Sequence, residues 1–445
     1  MSRGTNWPAL RAAMTLAGVL IATPALGVLT HRYSFTADGS DSVGSLNWTA
    51  NGGATFSGGQ VTLDGVDDFL SLGATPLPTT AGSSATIEVW GTYSPTTAPG
   101  SRIFDFTDTN LPGSTYLYLT PAATPSTPTP ATVSSNTRLR FNDGIAENGP
   151  TAPGTATGPQ VLLTAVIDVT NGLYSLYRDG GLIATAPTAG SDVLGTLGLT
   201  SNSHRLGAGQ SAPVGGDLPQ FLSGSISEFR VYDHVPTARE VLNNAIAGPN
   251  ALPPTLAAKT WVPAGSGDWN AGGNWSAAGA PAASHRGVIA SGGAAVVAGS
   301  PDPVGAVQID NGTLTIGAGA TLQSLYPLDL APGDANTATV NVNAGGRLVT
   351  SGILNDGLTG AKTLNVDGGV IEAGFANSIV QVGTTTNVGA LGMTLAMGAG
   401  GMTWDSALVG AGTIRKTGAG VLNIRGGTTA TNNARVDQNP LFTGE

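Results

Sequence analysis

Three stretches of the C-terminal half align with one another at a spacing near 25 residues, and this repetition limits the fold more than any other feature. Thr313–Leu322 (TLTIGAGATL) aligns with Thr339–Leu348 (TVNVNAGGRL) and, one residue shorter, with Thr363–Ile371 (TLNVDGGVI). The offsets are 26 from Leu314 to Val340 and 24 from Val340 to Leu364. Each stretch alternates apolar with polar side chains and then turns on Gly or Asn. Such a unit buries its Leu, Val and Ile only by stacking on the next, which predicts a short β-helix over residues 260–445. Asn341 and Asn365 hold equivalent positions, where an inward ladder is expected. Trp261, Trp269 and Trp275 fall at the start of the stack, where they either close its open end or stack on sugar.

The rest of the composition agrees with an all-β chain. Gly and Pro number 66 and 28 of 445 residues, and charged residues make up only 10%. With Thr and Val abundant, that balance reads as many short strands joined by turns. Cysteine is absent, so no disulfide framework is available and cores must supply the stability. A net charge of −10 argues against nucleic acid and against anionic membrane surfaces as partners. The N-terminus reads as an export signal: Arg3 and Arg11, an apolar run from Ala12 to Leu26, and small residues at Ala25 and Gly27. Residues 1–27 are therefore expected to be removed and the mature chain, which has no further apolar stretch of spanning length, to be secreted or held at the cell surface.

Residues 29–248 show period-two alternation in ten short runs: His31–Phe35, Gln60–Leu63, Phe69–Leu72, Thr86–Trp90, Arg102–Phe106, Tyr116–Leu119, Arg138–Phe141, Val161–Asp168, Tyr174–Arg178 and Ser225–Tyr232. Turns such as Asp64-Gly65 and Asp179-Gly180 separate them, which predicts an antiparallel jelly-roll β-sandwich. Only Thr237–Ala247 reads as helix, between Pro236 and Gly248. Pro121–Ser135 is expected to be a surface loop, and the Pro/Gly-rich segment 249–259 a linker.

Several of these runs, in order, resemble the laminin G-like, concanavalin A-like jelly rolls. Val61–Leu72 (VTLDGVDDFLSL) is similar to that family's F-D-G-x-D-D-Y-V-x-L segment. His31–Phe35, Asp41–Gly44, Ala85–Trp90, Tyr174–Gly180 and Gly224–Asp233 resemble its opening strand, D-S-S-G turn, F-T-V-x-x-W strand, x-L-Y-V-D-G hairpin and closing strand. Gly410–Ile424 (GAGTIRKTGAGVLNI) resembles the autotransporter-associated β-helix repeat, which builds rods at bacterial surfaces, although no membrane β-barrel pattern follows it. The chain could thus be one form of a longer β-helix protein.

The resemblance implies a binding role, with glycan the first-choice ligand, carried by the jelly roll and displayed on the β-helix. Trp48, Tyr93 and Tyr118 are candidate sugar platforms. The family often carries calcium near acidic turns. Asp38 and Asp41 in one turn and Asp64, Asp67 and Asp68 in another are its candidate ligands here, plain turn chemistry being the other reading. Glu228 and Arg230 read as a surface pair, and Trp90 as a core residue between the sheets.

The chain has only six glutamates, at 88, 147, 228, 240, 372 and 445. None forms the Glu-x-Asp-x-x-Glu strand of glucanases that share the jelly roll, and no Gly-x-Ser-x-Gly elbow or His-Glu-x-x-His is present. Lys259, Lys362 and Lys416 stand apart from acid clusters, unlike the base of a polysaccharide lyase. The expected class is a non-catalytic binding protein, with a ligand-free surface-layer or matrix component as its alternative and a polysaccharide-acting enzyme as the second.

Overall fold

A computed structural model describes residues 28–424 and 435–436, outside the segments 96–99, 108–114, 124–135, 143–146, 189–203 (Leu194 excepted), 210–220 and several stretches of one to three residues. The export signal over 1–27 and most of the loop expected at Pro121–Ser135 lie outside the described residues.

Each of the ten alternating runs of the N-terminal half contains a strand, though Ser34–Phe35 and Arg102–Ile103 lie outside theirs, and the strands form a sandwich of two antiparallel sheets. The first sheet runs in the order Gly181–Pro187, Leu173–Arg178, Val161–Asp168, Ala85–Tyr93, Ser223–Tyr232, Gln60–Asp64, Thr55–Ser57, with Leu29–Tyr33 also paired to Ser223–Tyr232. The second runs Glu147–Asn148, Asn136–Asn142, Tyr116–Ala123, Phe104–Thr107, His204–Leu206, Phe69–Leu72, Thr49–Asn51, with Thr151–Pro153 on Asn136–Asn142. Alternate side chains such as Val61, Leu63, Ile87, Leu117, Leu119 and Phe229 fill the space between the sheets. Asp179 and Gly180 both adopt positive φ, 48° and 85°, as the expected tight turn requires.

The middle strands of the first sheet are buried on their outer face too, and this reverses two expectations. Trp90 points away from the sandwich core and packs with Leu162, Ala245 and Phe375, under the Arg230 guanidinium at 4.2 Å. Glu228 and Arg230 are a satisfied pair, but fully buried: Arg230 Nε donates to Glu228 Oε1 at 2.7 Å, and Arg32 Nε donates to the same oxygen at 2.7 Å. The cover is the helix Ala238–Ala247, held by a Thr237/Glu240 capping box and ended by Gly248 at φ 76°.

That helix is also the contact with the second domain. Leu242 lies against the Asp179-Gly180 turn on one side and Gly352 on the other, where an added Cβ would meet it at 2.7 and 3.0 Å. Arg239 forms an ion pair with Asp329.

From Ala257 the chain winds into a parallel β-solenoid of about six turns, built from sheets of eight, seven and six strands. The repeats stack in the register their spacing implies, Leu314 on Val340 on Leu364, all buried. The Asn ladder forms but faces outward, because Val340, Val342, Leu364 and Val366 take the inner positions. Asn341 donates to Thr315 at 3.2 Å, Asn365 to Asn341 at 2.8 Å, and Asn387 to Asn365 at 2.7 Å. The three tryptophans close the first coil: Trp261 and Trp269 stand edge-on to Trp275, and all three are buried.

Candidate functional site

The outer face of the second sheet gathers the polar and aromatic side chains that a recognition surface needs. Pairing across its strands places Ser71, Arg205, Asp105, Tyr118 and Arg140 in one row, because directly opposed residues share a face. Four of the fifteen arginines, at 102, 138, 140 and 205, lie on this side, against the carboxylates of Asp105 and Glu147. In a chain of net charge −10, this face is a local excess of cation.

Most of the row is spent on structure. The Arg102 guanidinium sits 3.5 Å over the Tyr118 ring and 3.9 Å from Asp105. Arg140 Nε donates to Glu147 at 3.1 Å, and Tyr116 donates to the other Glu147 oxygen at 2.5 Å. Burial pushes the Arg140 guanidinium down and the Tyr116 phenol up from their ordinary values.

The accessible part lies at the sheet's edge. Phe69 and Phe221 are half-buried, with ring centroids 6.3 Å apart, and the Arg205 guanidinium lies 4.5 Å over Phe69. Asn51, paired opposite Phe69, donates to Ser71 Oγ at 3.0 Å. An aromatic pair, a guanidinium, an amide and a hydroxyl thus share a few strand positions.

Phe69 follows directly on the acidic turn. The carboxylates of Asp64, Asp67 and Asp68 lie within 4.8 Å of one another, and Asp38 and Asp41 are not part of the group. The Asp64 carboxylate accepts from Val66 N at 2.7 Å, which holds it below the usual carboxylate range. Burial, and the charges of Asp64 and Asp67, push Asp68 up. Gly52, at φ 77°, lets the neighbouring turn lie against them; a Cβ there would sit 2.1 Å from the Asp67 carbonyl. Asp41 is occupied otherwise: its oxygens accept from the amides of Arg32, Val43, Gly44 and Leu46 and meet His31 Nδ1 at 2.6 Å. Asp38 accepts from Ser40 N. Of the five candidate ligands, three are brought together and two hold turns.

The three candidate sugar platforms are all buried: Trp48 and Tyr93 belong to the sandwich core, and Tyr118 lies beneath Arg102. Nothing in this arrangement offers their faces to a sugar. Phe69 and Phe221 hold that position instead. Phe69 was legible, since Leu70 and Leu72 alternate inward and leave Phe69 and Ser71 outside. Phe221 sits in no alternating run, and no sequence signal marks it.

Residues 64–242 match the family described as the concanavalin A-like lectin/glucanases superfamily. Among solved structures, domain 4 of AbnA, an extracellular arabinanase from Geobacillus stearothermophilus, in complex with arabinotriose, is similar at 21% identity, over 48% of this chain and 97% of that one, with a TM-score of 0.34. The CBM40 domain of Ruminococcus gnavus IT-sialidase, bound to α2,3-sialyllactose, is similar at 17% identity over 41% and 94%, TM-score 0.31. The binding domain of botulinum neurotoxin serotype C1 is similar at 12% identity over 48% and 50%, TM-score 0.36. No curated protein matches the chain.

Proposed function

Given a concanavalin A-like domain over residues 64–242, we propose that the chain is an exported, non-catalytic glycan-binding protein whose jelly roll carries the site and whose solenoid supports it. The observation that carries this reading is the half-buried Phe69–Phe221 pair beside Arg205, Asn51 and Ser71. Aromatic rings take up the apolar faces of a pyranose, while guanidinium and amide groups bond its hydroxyls in fixed directions.

Catalysis of glycoside hydrolysis asks for two carboxyl groups across a cleft, one as acid. The carboxylates on this face are instead engaged, Glu147 by Arg140 and Tyr116, Asp105 beside Arg102. In the solenoid, the Lys259 ammonium donates to the carbonyls of Ala277, Ala278 and Gly279, and Lys362 to that of Thr359, which suits neither to serve as a lyase base.

A glycan array probed with the full chain tests the reading. Phe69→Ala and Arg205→Ala are each expected to weaken the best glycan at least tenfold, about 1.4 kcal/mol, with melting little changed. No binding to any glycan, or undiminished binding by both variants, would return the protein to a structural surface-layer role.

Calcium belongs to the same proposal. Three carboxylates within 4.8 Å supply part of the six to eight oxygens that the ion takes, and turn carbonyls such as that of Asp67 could supply more. Added calcium is expected to raise the melting temperature, chelation to reverse it, and Asp64→Asn to abolish both effects. An identical melt with and without chelator would leave these residues to turn duty.

Export sets the last expectation here. N-terminal sequencing of protein recovered from the envelope or medium is expected to read from at or near Val28, and an intact Met1 on exported material would refute it.

A further inference from the structure

The first sheet, on the far side of the sandwich from Phe69, carries a cavity of about 360 Å³, in the range of small-ligand sites. It lies where the outer face of that sheet meets the helix Ala238–Ala247 and the segment after it. Leu29, Leu252 and Pro253 give it apolar walls.

Glu88 forms its floor and is buried. Two further polar atoms of lining residues are buried without any hydrogen-bond partner: Asn243 Oδ1 and His234 Nδ1. Two donors of lining residues are committed to Glu88. Asn244 Nδ2 donates to Glu88 Oε1 at 2.9 Å and Tyr232 donates to Glu88 Oε2 at 3.1 Å. Arg230 is tied to Glu228 and to the Ala251 carbonyl at 2.6 Å, and its Nη1 stands 3.7 Å from Glu88. Arg230 Nη1 has no hydrogen-bond partner, but Arg230 does not line the cavity, so an anion would find no Arg or Lys in its walls. What the cavity offers is acceptors above an apolar wall.

We propose that this cavity binds a primary alkylammonium ion, its three N–H donors on Glu88, Asn243 Oδ1 and His234 Nδ1, its chain along Leu29, Leu252 and Pro253. An ammonium group presents donors and no acceptor, which matches the set left open. In this arrangement the His234 ring accepts at Nδ1. Its Nδ1 lies 4.0 Å from an Asp233 oxygen, whose charge also favours a cation nearby.

The groups facing Glu88 give the site a pH signature. They are Arg230, Glu228 and Tyr232 on its neighbouring strand, His234 beyond that strand, and Glu240 and Asn244 on the helix. Burial outweighs the pull of Arg230 and raises the Glu88 carboxyl to about 7. An ammonium ion needs the carboxylate, so binding expels the proton. Affinity should be constant above about pH 8 and fall roughly tenfold for each unit below about pH 7.

Calorimetry with n-pentylamine on the full chain tests this. Binding is expected at pH 8, about tenfold weaker at pH 6, with proton release at pH 7 seen by repeating the titration in two buffers of different ionisation enthalpy. Glu88→Gln should remove both the binding and its pH dependence. Leu252→Trp, made at a residue 47% exposed on the linker, should block the cavity with Glu88 intact, so that a misfolded Gln variant does not decide the matter. Equal affinity for n-pentanol, binding undisturbed in Leu252→Trp, or no heat up to about 10 mM amine would each overturn the proposal.

Discussion

Glu228→Ala is expected to destabilise the N-terminal domain by about 3–5 kcal/mol, the range for removing one partner of a buried ion pair. The carboxylate is fully buried and its Oε1 receives both Arg230 Nε and Arg32 Nε, while Oε2 accepts the amide of Asn250. Its loss leaves Arg230 inside the protein with only Glu88 opposite, and burial already holds much of Glu88 protonated near neutral pH. Calorimetry of the full chain should show the first transition lowered by about 10 °C, at 2–4 °C for each kcal/mol in a domain of this size. An exposed pair of the same composition would cost no more than about 1 kcal/mol, so a small shift would place Glu228 and Arg230 at the surface after all.

The misreading of that pair, and of Trp90, has one physical cause. In Ala85–Tyr93 and Val161–Asp168 nearly every residue is buried on both faces. Alternation then separates two sets of side chains without saying which set meets the sandwich core. Ile87 and Val89 differ from Glu88 and Trp90 as expected, but the helix Ala238–Ala247 and Phe375 cover the second set, from far along the chain. Nothing local to the strand encodes that cover. Tyr93 was mistaken in the opposite sense, being taken as exposed when it continues the inward series of Ile87 and Val89.

Where a segment has one wet face, the sequence was sufficient. The solenoid offsets of 26 and 24 residues are the pairings of Leu314, Val340 and Leu364, since one register alone buries each apolar row. The Asn ladder was read as inward and is outward, although the same alternation argues for the outer face: Asn341 lies between Val340 and Val342, both buried. The candidate site was half legible: the acidic turn was, through its charge, but its aromatic partner Phe221 and the crossing Arg205 come from distant strands that only the sheet order unites.

Trp269→Ala is expected to cost about 3–5 kcal/mol, and the more informative quantity is where along the solenoid that cost appears. The ring is fully buried, 4.7 Å from the Trp275 centroid at 74°, and Trp275 Nε1 donates to the Trp269 carbonyl at 2.8 Å. With Trp261 it extends the strands of the first coil, Ala257–Thr260 and Ser266–Asp268, which pair with His285–Ile289 and Gly293–Val297 on one side and have no earlier coil on the other. In a solenoid each coil draws stability from its own fold and from its immediate neighbours. Opening the cap therefore loosens the first coils and leaves Val340, Leu364 and Ile371 with both their neighbours. Hydrogen exchange should show amides of His285–Ile289 and Gly293–Val297 losing protection while those of Lys362–Val366 keep it. The comparison is Leu364→Ala, which should cost about 2–5 kcal/mol and act from the middle of the stack in both directions. Uniform loss of protection from Trp269→Ala would mean that the solenoid unfolds as one cooperative unit, and that the tryptophans hold the whole rod rather than its first coil.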